Sequence, residues 1–158
     1  MMEKADTVTV GIRYEGFKFL RFSFVETDDI GKDALSVQLT VDINDSGPVR
    51  EGQSNIVVKV NVVITTSTEE IVANVETASV FGLDGIPADK VHDNGGVKYP
   101  ESLLTTLVSL AISTTRGAIL AKGAGSFLEK MPLPIVNPKG FVPANDKQSS
   151  EEQGLTTD

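Results

Sequence analysis

The sequence contains no cysteine, no tryptophan and a single histidine among its 158 residues. Without cysteine there is no disulfide framework, no thiolate nucleophile, no iron–sulfur cluster and no thiolate-bound zinc. One histidine cannot build a His-rich catalytic zinc site, and serine–histidine catalysis would rest on His92 alone. His92 stands in a Gly/Asp-rich stretch beside Asp89 and Asp93 and reads as a loop residue. Basic charge is also scarce. Lys and Arg number 14 against 22 Asp and Glu, a net charge of −8, and non-specific nucleic-acid binding needs a basic face. No continuous apolar run approaches the about 18 residues that a bilayer span requires. The opening residues, MMEKADT, lack the basic-then-apolar order of a signal peptide. The expectation is a cytoplasmic, non-enzymatic protein that uses no cofactor, binds no nucleic acid and does not insert into a membrane.

Strand-forming residues, by contrast, are abundant. Val and Ile greatly outnumber Leu, a bias toward β-structure. The length suits one domain. In Leu35–Ile43 (LSVQLTVDI) apolar and polar residues alternate strictly, the mark of a half-buried strand. Ile56–Thr66 (IVVKVNVVITT) is a second such strand, and Glu70–Phe81 (EIVANVETASVF) a third, joined by a short link at Thr68–Glu70. Thr7–Val25 is a fourth, earlier strand whose alternation slips by one residue at Leu20, as a bulge would cause. Asn44–Asn55 and Gly82–Tyr99 read as loops from their Gly, Pro, Asp and Asn content. Pro100 opens a helix that runs to Ala121, with Leu103, Leu104, Leu107, Leu110, Ala111, Thr114 and Ala118 on one stripe. Val108, Ile112 and Ile119 widen its apolar surface, so a second face awaits a partner. The segment Lys122–Gly125 ends the helix, and Phe127–Pro143 is extended and rich in proline. The fold class predicted is α+β: a four-stranded antiparallel sheet, read as a meander, covered by one long C-terminal helix. The domain spans 1–143, and 144–158 is an acidic tail of disordered composition.

Motifs for chemistry are weak. Gly82-Leu83-Asp84-Gly85 and Gly123-Ala124-Gly125 lack the remaining residues of a phosphate loop, and Asp84, Asp89 and Asp93 lack the spacing of a calcium loop. The carboxylate pairs Glu69-Glu70 and Glu151-Glu152 fit a turn and a tail. The aromatics say more. Of nine Phe and Tyr residues, five lie between Tyr14 and Phe24. Neighbours in an extended chain point to opposite faces, so adjacent Phe19 and Leu20, or Phe24 and Val25, suggest apolar surface on both sides of this strand. Met131 lies in a second apolar ribbon, and Met and Phe suit adaptable contacts.

In this order the elements resemble the SecB family of export chaperones. The likeness rests on Val80-Phe81-Gly82-Leu83-Asp84-Gly85-Ile86, on Tyr99-Pro100 at the start of the long helix, on Arg116-Gly117 within it, and on Pro132, Pro134 and Val136-Asn137-Pro138. It extends from about Tyr14 to Phe141. The pattern departs from the family where Ala118–Lys130 is inserted before Pro132, where no second C-terminal helix follows Phe141, and where Arg21 and Asn74 occupy positions at which acidic residues would dock an export motor ATPase.

The resemblance implies a homotetramer, a dimer of dimers, that holds unfolded or pre-secretory polypeptides in hydrophobic grooves without ATP. An export motor ATPase or an antitoxin would be a further partner. For the groove it points to Tyr14, Phe17, Phe19, Phe22 and Phe24. Leu83, Ile86, Leu128, Met131 and Leu133 complete it. For the helix interface between dimers it points to Leu104, Val108, Ser109, Ile112 and Arg116. Two alternatives stay open beside export: a chaperone serving a toxin–antitoxin system, and a non-enzymatic structural or adaptor subunit with its apolar surfaces buried between fixed partners. A small-molecule binder with a pocket between sheet and helix is a third.

Overall fold

The computed structural model describes residues 10–26, 35–50, 53–85, 99–130 and 133–142, with the side chains of 46–50 excepted. Four strands form one antiparallel sheet: β1 (Gly11–Phe24), β2 (Ser36–Arg50), β3 (Gln53–Thr65) and β4 (Ile71–Asp84). The spatial order is β1-β4-β3-β2. The strands β2, β3 and β4 make the meander, and β1 lies beside β4 rather than β2, an order of Greek-key type. Strands β1 and β2 are therefore the two edges.

The stretch read as a loop from Asn44 to Asn55 is mostly strand. β2 continues to Arg50 and β3 begins at Gln53. The register shifts around Pro48, and an edge strand with bulges tolerates proline because no ladder hydrogen bond is lost on its open side. The hairpin between β3 and β4 falls where the sequence places it. Glu69 takes a φ of 63° there, and Thr66 Oγ1 accepts from the Glu70 amide at 3.2 Å.

One face of the sheet is apolar in every strand. The pairing aligns Phe17, Ser79, Val58 and Ile43 in one row; Phe19, Thr77, Val60 and Val41 in the next; then Phe22, Val75, Val62 and Leu39. Helix α1 (Glu101–Lys122) lies over this face and buries Leu107, Val108, Ala111, Ile112, Thr115 and Ile119. That stripe is rotated from the one the periodicity suggested. Val108 and Ile112 are core residues, whereas Leu110 is 41% exposed. A helix apolar on two sides leaves the choice of face to the sheet. One contact on this face is polar, a buried hydrogen bond between the Thr77 and Thr115 hydroxyls. By length and composition α1 could span a bilayer, although no continuous apolar run in the sequence suggested it; here one side of it is packed on the sheet.

Past the helix the chain turns at Gly123, whose amide bonds to Ile119 O at 2.8 Å. A Cβ there would lie 2.7 Å from Leu128 Cβ and 2.8 Å from Ile119 O, so only glycine lets Leu128 tuck under the helix. A 3-10 helix (Phe127–Lys130) follows, and a second (Pro138–Phe141), capped by Asn137 Oδ1 on the Lys139 amide, packs against α1 and β2. The expected tail, 144–158, lies outside the described residues, as does His92.

Candidate functional site

The five aromatics of β1 all fall on the helix side of the sheet. Two bulges achieve this. The register shifts between Tyr14 and Gly16 and again between Phe19 and Arg21. Glu15 and Leu20 are the extra residues, and each resets the phase so that Tyr14, Phe17, Phe19, Phe22 and Phe24 share one face. The surface on both sides of β1 expected from the adjacency of Phe19 and Leu20 is thus absent for the rings. Only Leu20, 42% exposed at its bulge, and Val25 remain outside.

These rings form a ladder along a sheet edge. Phe17 and Phe19 have centroids 5.4 Å apart, Phe19 and Phe22 5.3 Å, and Phe22 and Phe24 5.8 Å, all edge to face. Phe127 continues the series beyond Phe24, and Tyr14 stacks edge-on against Phe81. The T-shaped geometry is the favoured one for aromatic quadrupoles. Burial is incomplete throughout. Phe17, Phe19, Phe22 and Phe24 are partly buried, and Tyr14 is 42% exposed although its hydroxyl is bonded to Ser79 Oγ at 2.7 Å. The helix covers β3 and β4, so the β1 side of the face is left partly open. Lys122, the last residue of α1, reaches across it with its Nζ 4.7 Å from the Phe19 centroid and 5.1 Å from that of Phe22. Nothing in the residue order marks Lys122 for this place, because it depends on where the helix ends over the sheet.

The remaining residues expected in the groove behave differently. Leu83 and Leu128 are fully buried and Leu133 nearly so; within the chain they are core and offer no surface. Alternation cannot tell a groove wall from a core wall, since both are apolar and on the same face. Ile86 and Met131 lie outside the described residues. Of the helix residues expected between dimers, Val108 and Ile112 face the sheet, Leu104 and Arg116 are half-buried, and Ser109 is exposed. Arg116 instead holds the chain after the helix, donating from Nη2 to Pro134 O at 3.2 Å. The outward face of α1 carries Ser109, Ser113, Gly117 and Ala121, with exposed Leu110 beside them.

At the far end of the sheet Tyr99 anchors the start of the helix, donating to Ser54 Oγ at 2.8 Å. Burial raises the pKa of its phenol, and the nearby charge of Asp45 adds to the rise. The outer face of the sheet sets opposite charges side by side, Asp42 opposite Lys59 and Arg21 opposite Glu76, so these positions form a mixed surface and no acidic patch.

No family model matches the chain, and no curated protein sequence matches it. Solved structures do. The Mycobacterium tuberculosis Rv1957 SecB-like chaperone, in complex with a ChAD peptide from the Rv1956 HigA1 antitoxin, superposes with a TM-score of 0.50 at 11% identity, over 79% of this chain and 88% of that one. A Streptococcus agalactiae protein of unknown function superposes with a TM-score of 0.42 at 10% identity, over 81% of this chain and 98% of that one. The fold, a four-stranded antiparallel sheet followed by one long helix, is SecB-like.

Proposed function

We propose that this protein is a non-enzymatic, ATP-independent chaperone of the cytoplasm that holds non-native polypeptide segments along the aromatic ladder of β1. The observation that carries the reading is the phasing of five aromatic side chains, by two bulges, onto the open margin of an edge strand. Four of these rings, Phe17 to Phe24, touch in series and stand partly exposed at the edge, where an incoming segment could reach them. An unfolded segment exposes apolar side chains and unpaired backbone groups, and an aromatic strip beside a sheet edge suits both. The net charge of −8 favours solubility in spite of that strip.

Of the client classes, an antitoxin segment is favoured over pre-secretory chains. The SecB-like neighbour was solved with an antitoxin peptide, and the mixed charge of the outer sheet face gives no acidic dock for an export motor. The assembly in this reading is a tetramer joined through the outward face of α1, where Ser109, Ser113 and Gly117 allow close approach of a second helix. Several ladders on one assembly would raise avidity for a long client far above that of one site.

The test is suppression of aggregation. A chemically denatured client is diluted into buffer without nucleotide, with wild type or with Phe19→Ser and Phe22→Ser. Wild type is expected to slow light scattering and both variants to do so much less, while their thermal melts stay cooperative. Equal protection by Phe22→Ser would refute the placement of the site, and no protection by wild type would refute the function.

A further inference from the structure

Lys122 is the one cation among the described residues that stands over the aromatic ladder, and it has no carboxylate within ion-pair distance there. The ion pairs described both belong to Arg13, with Glu15 and with Asp84. The nearest basic residues of β1, Lys18 and Arg21, pair in register with Ala78 and Glu76 on the opposite face of the sheet. Among the described residues the ammonium of Lys122 is therefore held by Phe19 and Phe22, at 4.7 and 5.1 Å from their centroids, at the middle of the ladder. None of the carboxylates among the described residues pairs with this charge, which is left there to the rings.

Resting on the chaperone reading above, we propose that Lys122 makes the ladder selective for apolar segments that carry a carboxylate: an extended peptide with aromatic or aliphatic residues on one face and an Asp or Glu where it passes Phe19 and Phe22. Two forces combine at that point. The rings attract the cation, and an entering peptide excludes water from between them, which strengthens the pairing of ammonium with carboxylate. The preference runs against the overall field of the protein, since a net charge of −8 draws basic peptides. A local preference for acid thus separates this device from general electrostatics.

The experiment uses three short synthetic peptides, alternating Phe or Leu with Ser, that differ only in a central Glu, Gln or Lys. Their binding to the full chain is measured by fluorescence anisotropy. Wild type is expected to bind the Glu peptide about three- to tenfold more tightly than the Gln peptide, and Lys122→Met, which keeps an apolar stem, to abolish that preference. Lys122→Glu should turn it toward the Lys peptide. Lys122 is exposed at the helix end, so these variants are expected to melt like wild type. Equal binding of Glu and Gln peptides to wild type, with both weakened by Phe22→Ser, would overturn the role of Lys122 and leave the ladder standing. Tightest binding of the Lys peptide to wild type would overturn it in favour of the global field. Binding of all peptides unaffected by Phe22→Ser would overturn the ladder itself. No peptide binding by a species that light scattering finds dimeric, and that Phe22→Ser makes monomeric, would assign the ladder to a second copy of this chain and overturn both.

Discussion

Thr77 on β4 and Thr115 on α1 share a hydrogen bond of 2.8 Å with both residues fully buried. Thr115 Oγ1 also donates to Ala111 O at 2.7 Å. A hydroxyl has one proton, so Thr77 is the donor within the pair and Thr115 its acceptor. The two replacements then differ. Thr115→Val strands the Thr77 proton in the core and is expected to cost about 1–3 kcal/mol. Thr77→Val leaves Thr115 its bond to Ala111 and should cost less. The double valine variant should recover part of the loss of Thr115→Val. Urea unfolding of the four proteins, as a double-mutant cycle, measures the coupling; equal losses from the two single changes would refute the donor assignment.

Leu20 is the extra residue of the second bulge of β1. Deleting it joins Phe19 directly to Arg21 and restores plain alternation, with Phe19, Phe22 and Phe24 still on the helix side. This deletion is expected to leave a cooperative melt within a few degrees of wild type. Deleting Lys18 brings Phe17 and Phe19 together and drives one ring, or the whole following segment, to the polar face. That protein should lose several kcal/mol, by the mechanism of a register slip. Differential scanning fluorimetry of the two deletions distinguishes them.

Gly123 and Gly117 lie in and just past the same helix but have opposite surroundings. An added Cβ at Gly123 meets Leu128 Cβ and the Ile119 carbonyl, whereas at Gly117 it meets nothing within 4 Å. Gly123→Ala should destabilise the protein by roughly 1–3 kcal/mol through overpacking. Gly117→Ala, in an exposed helix interior, should stabilise it by about 0.5–1 kcal/mol. The larger Gly117→Leu is expected to spare the fold and to reduce the mass found by light scattering if α1 joins protomers as proposed. An unchanged mass would remove Gly117 from the interface.

The Tyr99 phenol has its pKa raised by burial. In the unfolded chain a tyrosine ionises near about 10. Above that value the unfolded state loses its proton while the folded state keeps it, so stability is full below pH 10 and falls as pH rises through the folded pKa. Alkaline denaturation should therefore begin as Tyr99 is forced to ionise, and Tyr99→Phe should weaken that pH dependence at the expense of the bond to Ser54. Spectrophotometric titration of tyrosinate in both proteins checks this; an early, reversible ionisation of Tyr99 in the native state would contradict it.

The elements themselves were legible in the amino-acid order. The alternation of Leu35–Ile43 and Ile56–Thr66, the slip at Leu20 and the Tyr-Pro start of the helix are local signals, and each corresponds to β2, β3, the bulge of β1 and α1. They are local because a strand or a helix repeats its side-chain direction at a fixed period that neighbouring residues record. Whether an apolar side chain faces the core or a partner is not recorded that way. Leu83 and Leu128 share the apolar character of Phe19 and Phe22, yet the first two are fully buried and the last two stand partly open. That difference was decided by β1 pairing with β4 at a sheet edge and by the helix crossing over β3 and β4. The absence of cysteine excluded disulfides and thiolate chemistry from the start. Only the tertiary structure brought Lys122, 38 residues beyond the end of the sheet at Asp84, over the rings of Phe19 and Phe22, because the direction and end point of a packed helix follow from contacts between segments that are distant along the chain.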